Sequence, residues 1–123
     1  TPISLGELVD KISILIIKQK NITDETKLDH VKKELDFLQK TLMNYVKQEE
    51  INNYLENLIN INSKLWNIED DIRECERKKL FDQSFIDLAR SVYFTNDERA
   101  KVKNDINKTF GSELVEVKSY EEY

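Results

Sequence analysis

Leu28, Val31, Leu35, Leu38 and Leu42 recur at alternating steps of three and four. That spacing lays one apolar seam along one side of an α-helix. The same rhythm returns in Ile51, Leu55, Leu58, Asn62, Leu65 and Ile72, flanked by Ile61 and Ile68. Only two glycines and one proline stand in 123 residues to interrupt such patterns, and both residue types break helices. The expectation is an all-α fold: a helical bundle of four to five helices in one domain, residues 1–123. The helices near Asp24–Val46 and Ile51–Lys78 should form a long antiparallel hairpin across a connection at Lys47–Glu50. Asn62 is a polar residue on an otherwise apolar seam, a device that fixes register.

Local signals divide the rest. Ser4 and Glu7 have the spacing of a capping box, opening a first helix with an apolar stripe of Leu5, Leu8, Val9, Ile12, Leu15 and Ile16. Ile14 and Ile17 widen that stripe beyond one face. A helix apolar over so much of its girth lies centrally or packs on a second subunit, so a homodimer is expected. Asn21 and Thr23-Asp24 supply a turn and a new cap. Phe81-Asp82 reads as a break, followed by a short helix over Phe85–Tyr93. Thr95 to Glu98 reads as a second capping box starting a last helix, with Val102, Ile106 and Phe110 inward and Gly111 ending it. These two short helices are expected to cover one end of the bundle. In residues 112–123, Leu114–Val117 suits a short strand or an extended arm, with Tyr120 and Tyr123 as anchors.

The formal net charge is −5 with both signs interspersed, which argues against general nucleic-acid binding, since that needs a basic face. The longest uninterrupted apolar run, Ile14–Ile17, is far short of the ~20 residues that span a membrane. Cys75 is the sole cysteine, so no intrachain disulfide forms, and with no signal-peptide pattern a reducing cytoplasm is expected. His30 has no partner for a metal cluster or a triad and reads as a helix-surface residue. Trp66, Phe85 and Tyr93 fall in or beside apolar stripes and read as core.

Two groups of residues could carry chemistry. Arg90, Tyr93, Asn96, Asp97, Arg99 and Lys103 surround the expected helix start at Thr95. Outward N–H groups there, with cations beside them, would make a pocket for a small anionic ligand. The competing arrangement is an internal network in which these arginines pair with acids of the third helix. Glu7 and Asp10 form the second group, a carboxylate pair three residues apart. With Glu69 and Asp70 they could hold magnesium or manganese for a phosphate-handling hydrolase. No phosphate loop, zinc motif or nucleophile elbow is present. The preferred expectation is a non-enzymatic module that binds a protein or a small anionic ligand.

Several blocks together resemble a small uncharacterised bacterial protein family of unknown function: Ser4–Ile12, Leu65–Asp70 with Ile72-Arg73, Phe85–Tyr93, Asn96-Asp97 with Arg99-Ala100, and Gly111–Glu116 with Lys118-Ser119-Tyr120. The resemblance spans nearly the whole chain and implies a helical domain. It points to Lys11, Lys18 and Arg73 as further ligand-binding residues beside Arg90, Tyr93, Asn96, Asp97, Arg99 and Lys103. It also covers the four carboxylates Glu7, Asp10, Glu69 and Asp70.

Overall fold

Ser4 caps the first helix as its sequence predicts: its Oγ accepts from the Glu7 N–H at 3.2 Å. In the computed structural model, which describes residues 2–111 and 114–116, that helix is α1, Leu5–Asn21. Asp24 caps α2, Glu25–Met43, by accepting from the Lys27 N–H at 3.0 Å. Helix α3 runs unbroken over Gln48–Lys78, about 46 Å at the ideal rise. It ends where Lys79 turns left-handed at φ 57°, and the Leu80 N–H closes onto the Cys75 carbonyl at 3.0 Å. That pattern is a Schellman closure. Asp82 then caps α4, accepting from the Phe85 N–H at 3.3 Å.

Helix α4 is the main departure from expectation. It is one helix, Gln83–Phe110, about 42 Å long, and it runs through Thr95 without a break. Thr95 is buried mid-helix. Phe85, Leu88, Val92, Thr95, Arg99, Val102, Ile106 and Phe110 keep one helical phase across the capping-box sequence. Burying that continuous stripe outweighs a local cap signal, which stabilises a helix end by about 1 kcal/mol. The helix therefore lies along α3 rather than across one end of the bundle. Gly111 ends it as expected, with φ at 88°.

Helix α1 is central and packs on α2, α3 and α4. The core gathers Leu8, Val9 and Ile12 of α1 with Leu38 and Leu42 of α2, Leu58 of α3 and Ile106 of α4. The girth of α1 is thus used within the chain. Helix α4 runs antiparallel to α1, with Asn107 against Gly6 and Arg99 against Asp10, and to α3, with Phe110 against Tyr54. The expected hairpin of α2 on α3 does not form as a packed pair: α2 packs on α1, and α3 packs on α4 and α1. At one end Tyr54 of α3 meets Phe110 of α4 edge to face, with ring centroids 5.7 Å apart. Pro2–Ser4 (β1) and Leu114–Glu116 (β2) pair antiparallel, Ile3 opposite Val115, which takes the strand option for that segment. Val117, Tyr120 and Tyr123 lie outside the described residues.

One close approach sets the position of α4 on α1. A β-carbon on Gly6 would lie 2.4 Å from the Lys103 carbonyl oxygen. The Gly6 N–H instead donates to Asn107 Oδ1 at 2.8 Å. Gly6→Ala is expected to destabilise the fold by about 1–3 kcal/mol, because backbone must shift to admit the methyl group. Alanine's higher helix propensity alone predicts the opposite sign. Thermal melting with circular dichroism distinguishes the two, and an unchanged or raised Tm would contradict this packing.

Candidate functional site

Asp10 faces inward from the middle of α1, fully buried. A buried carboxylate is tolerated only where its charge is met and its oxygens are hydrogen-bonded. Three helices meet that need. Arg99 of α4 donates side-on: Nε reaches Asp10 Oδ1 at 2.8 Å, and Nη2 bonds Oδ2. Asn62 of α3 donates Nδ2 to Asp10 Oδ1 at 3.0 Å and to Ser13 Oγ at 2.8 Å. The Ser13 hydroxyl in turn donates to the Asp10 carbonyl at 2.6 Å. Lys103, one turn beyond Arg99, bridges Glu7 Oε2 at 2.5 Å and Asp10 Oδ2 at 3.8 Å. Among the described residues, no buried side-chain nitrogen or oxygen lacks a partner.

The electrostatics follow from this geometry. Burial pushes the Asp10 carboxyl up, but hydrogen bonds from Arg99 and Asn62 and the charges of Arg99 and Lys103 outweigh it and hold the pKa below the usual carboxylate range. The hydrogen bond to Asp10 raises the pKa of Arg99 against its own desolvation, with Asp10, Glu7 and Glu69 adding negative charge around it. Two cations thus meet two carboxylates, and the cluster is internally neutral.

The expected site residues fall into three groups. Arg99, Lys103, Glu7 and Asp10 come together, joined by Asn62. Asn96, Arg99, Ala100 and Lys103 border a shallow hollow of about 210 Å³ beside this cluster. Arg73 instead pairs along its own helix with Asp70 at 3.2 Å and Glu69 at 3.9 Å, all three more than half exposed. The band Glu69–Arg77 is therefore largely a solvated helix face: Glu69 acts on α4 through its charge on Arg99, while the carboxylates bonded to Arg99 and Lys103 come from α1. A broad hollow of about 760 Å³ borders Asp70, Arg73, Glu74 and Arg77, but these side chains sit on one helix and pair with each other. Lys11 is exposed, and Lys18 is half-buried and already engaged.

The four carboxylates do not converge. Glu7 and Asp10 face α4, whereas Glu69 and Asp70 turn to Arg73 on the surface. Among the described residues, no group of three or more His, Cys, Asp or Glu side chains is placed to hold a metal ion. The helix N-terminus imagined at Thr95 is absent, because α4 is continuous there, and no outward N–H groups are free at that point. Tyr93 is a further correction: it is exposed rather than core, since it lies on the side of α4 opposite the buried stripe. Arg90 lies over the Phe94 ring, 5.9 Å from its centroid, and Asn96 and Asp97 are exposed. Gly6, Ser13 and Asn107 escaped the sequence reading. Gly6, Asp10 and Ser13 do recur at steps of four and three on one face of α1, a small-and-polar stripe that marks a close polar contact.

The chain belongs to the family described as a family of unknown function, DUF6165, whose model matches residues 1–123. No curated protein and no solved structure matches it.

Removing one partner of the buried pair strands the other. Arg99→Leu is expected to cost about 3–5 kcal/mol, and the double variant Asp10→Leu/Arg99→Leu less than that, because no buried charge is then left unpaired; denaturant melts of both measure this. The pH response has a definite sign. The folded carboxyl titrates below its unfolded value of about 3.9, so its contribution is complete above that pH and is lost as pH falls through the folded pKa. Stability should fall on acidification below about pH 4, and Asp10→Asn should flatten that part of the profile.

Proposed function

We propose that this member of the family is a non-enzymatic helical module that binds a protein through the outward face of α4. The observation that carries this reading is a row of large apolar side chains left in solvent there: Ile86 is 47% exposed, Phe94 54% and Tyr93 67%. Tyrosine, phenylalanine and arginine are favoured at protein contacts, where they combine area with a polar tip. Arg90 stacks on Phe94 and Phe94 packs edge to face on Tyr93, so the row is partly ordered before any partner arrives. Ordering in advance lowers the entropy lost on binding.

The polar hollow at Asn96, Arg99 and Lys103 supports a second reading, a small anionic ligand. It ranks behind the first because Glu7 and Asp10 already neutralise both cations, so an anion would have to displace a carboxylate. The proposal takes residues 1–123 as one helical domain. A cytoplasmic setting suits a chain whose lone Cys75 is a free thiol. No helix among the described residues is long and apolar enough to cross a membrane.

The test is a comparison of proteins retained by the wild-type chain and by Tyr93→Ala and Arg90→Ala. Both residues are solvent-facing, so melting should be unchanged, while a specific partner should bind about tenfold or more weakly. Partners that bind both variants as tightly as wild type would show that the contact surface lies elsewhere.

A further inference from the structure

We propose that the partner at this face is a second copy of the chain, docked antiparallel along α4 about a two-fold axis that passes between Tyr93 and Phe94. The inference rests on reading the outward face of α4 as a protein contact, and it adds the identity of what covers it.

Ile86, Arg90, Tyr93 and Asp97 follow one another at steps of four, three and four. They form a second seam, opposite the stripe that α4 buries against α1 and α3. All four are exposed. An exposed strip that joins Ile86, Tyr93 and the neighbouring Phe94 to flanking charges is what a second helix can cover.

The charges on the face select the occupant. From the midpoint between Tyr93 and Phe94, Arg90 stands three and a half residues toward the N-terminus and Asp97 the same distance toward the C-terminus, about 5 Å each way at the helical rise. An antiparallel two-fold therefore sets each Arg90 opposite the partner's Asp97, twice. Asp87 and Lys101 stand about 10 and 11 Å from the same midpoint, which adds a second opposite-charge pair on each side. The aromatic side chains meet at the centre, Tyr93 against Phe94. Within one chain, Arg90 and Asp97 are seven residues apart, about 10 Å, too far to pair with each other. Each also has an opposite charge one turn away on its own helix, Asp87 for Arg90 and Lys101 for Asp97, and the two-fold adds a cross-chain partner for every one of them, the property of an isologous contact, in which one patch must match itself.

The geometry also explains why α4 presents two seams. Its inner seam carries Arg99 to the buried carboxylate of Asp10, and its outer seam remains available to a second molecule. The wide apolar girth of α1 plays no part in this pairing, because α1 is enclosed by the other helices.

The experiment is sedimentation of the full chain from micromolar to millimolar concentration, with melting as a check on folding. The wild type should move from 14.6 kDa toward twice that mass. Arg90→Glu and Asp97→Arg each set like charges together across the two-fold, and each should weaken self-association about tenfold or more. Mixing the two variants should restore it, since each altered side chain then meets an opposite charge in the mixed pair. A monomer throughout the range, single variants that associate like wild type, or a mixture no tighter than its components would each overturn the proposal. A monomeric chain whose Tyr93→Ala variant still loses a different protein would overturn self-pairing alone and leave the contact face standing.

Discussion

The ion pair between Asp10 and Arg99 fixes how α4 lies on α1, and the remaining polar geometry follows from it. A carboxylate taken wholly out of water is destabilising by several kcal/mol unless it is paired and hydrogen-bonded. Here two donors from Arg99 and one from Asn62 meet it. Any shift of α4 by one turn would set Lys103 or Thr95 in place of Arg99 and break the side-on contact. Gly6 makes the arrangement possible, since its missing side chain lets the Lys103 carbonyl reach the α1 backbone. Buried ion pairs are not reliably stabilising compared with apolar contacts of the same size. The role argued for this one is selection of a single register, shared among three helices by Asn62.

Much of this fold was legible from local chemistry. Caps at Ser4 and Asp24, the end of α3 near Lys78 and the stop at Gly111 all act over a few residues, and sequence reports such effects well; the left-handed turn at Lys79 was not readable, because a lysine carries no signal for it. Asn62 was also readable, because a polar residue on an apolar seam must find a partner or be expelled. Thr95–Glu98 misled for a physical reason. A capping box measures only what a helix start would gain, whereas the continuity of α4 depends on apolar contacts with α1 and α3, residues far away in sequence. Arg99 was singled out, yet its partner was sought on α3. The choice between Asp10 and the acids of Glu69–Arg77 depends on which helix faces which, and charge patterning along one chain carries no such information.

The two faces of α4 divide the residues that looked functional. The inward face holds Arg99 and Lys103 in a neutral cluster in which each charge is already matched. That arrangement suits a lock within the bundle better than a receptor for a charged ligand. The outward face holds Ile86, Arg90, Tyr93, Phe94 and Asp97 in solvent, where an aromatic centre with opposite charges on either side is free to meet another surface. The two faces interleave along α4, because each turn of the helix contributes residues to both.

The most direct measurement is the titration of the Asp10 carboxyl by carbon-detected NMR in the folded protein. The pairing with Arg99, Asn62 and Lys103 predicts a midpoint below the ordinary aspartate value of about 3.9 and an upward move when Lys103 is replaced by methionine. A midpoint at or above the ordinary value would show burial prevailing over pairing, and would contradict the polar lock on which this account of the structure rests.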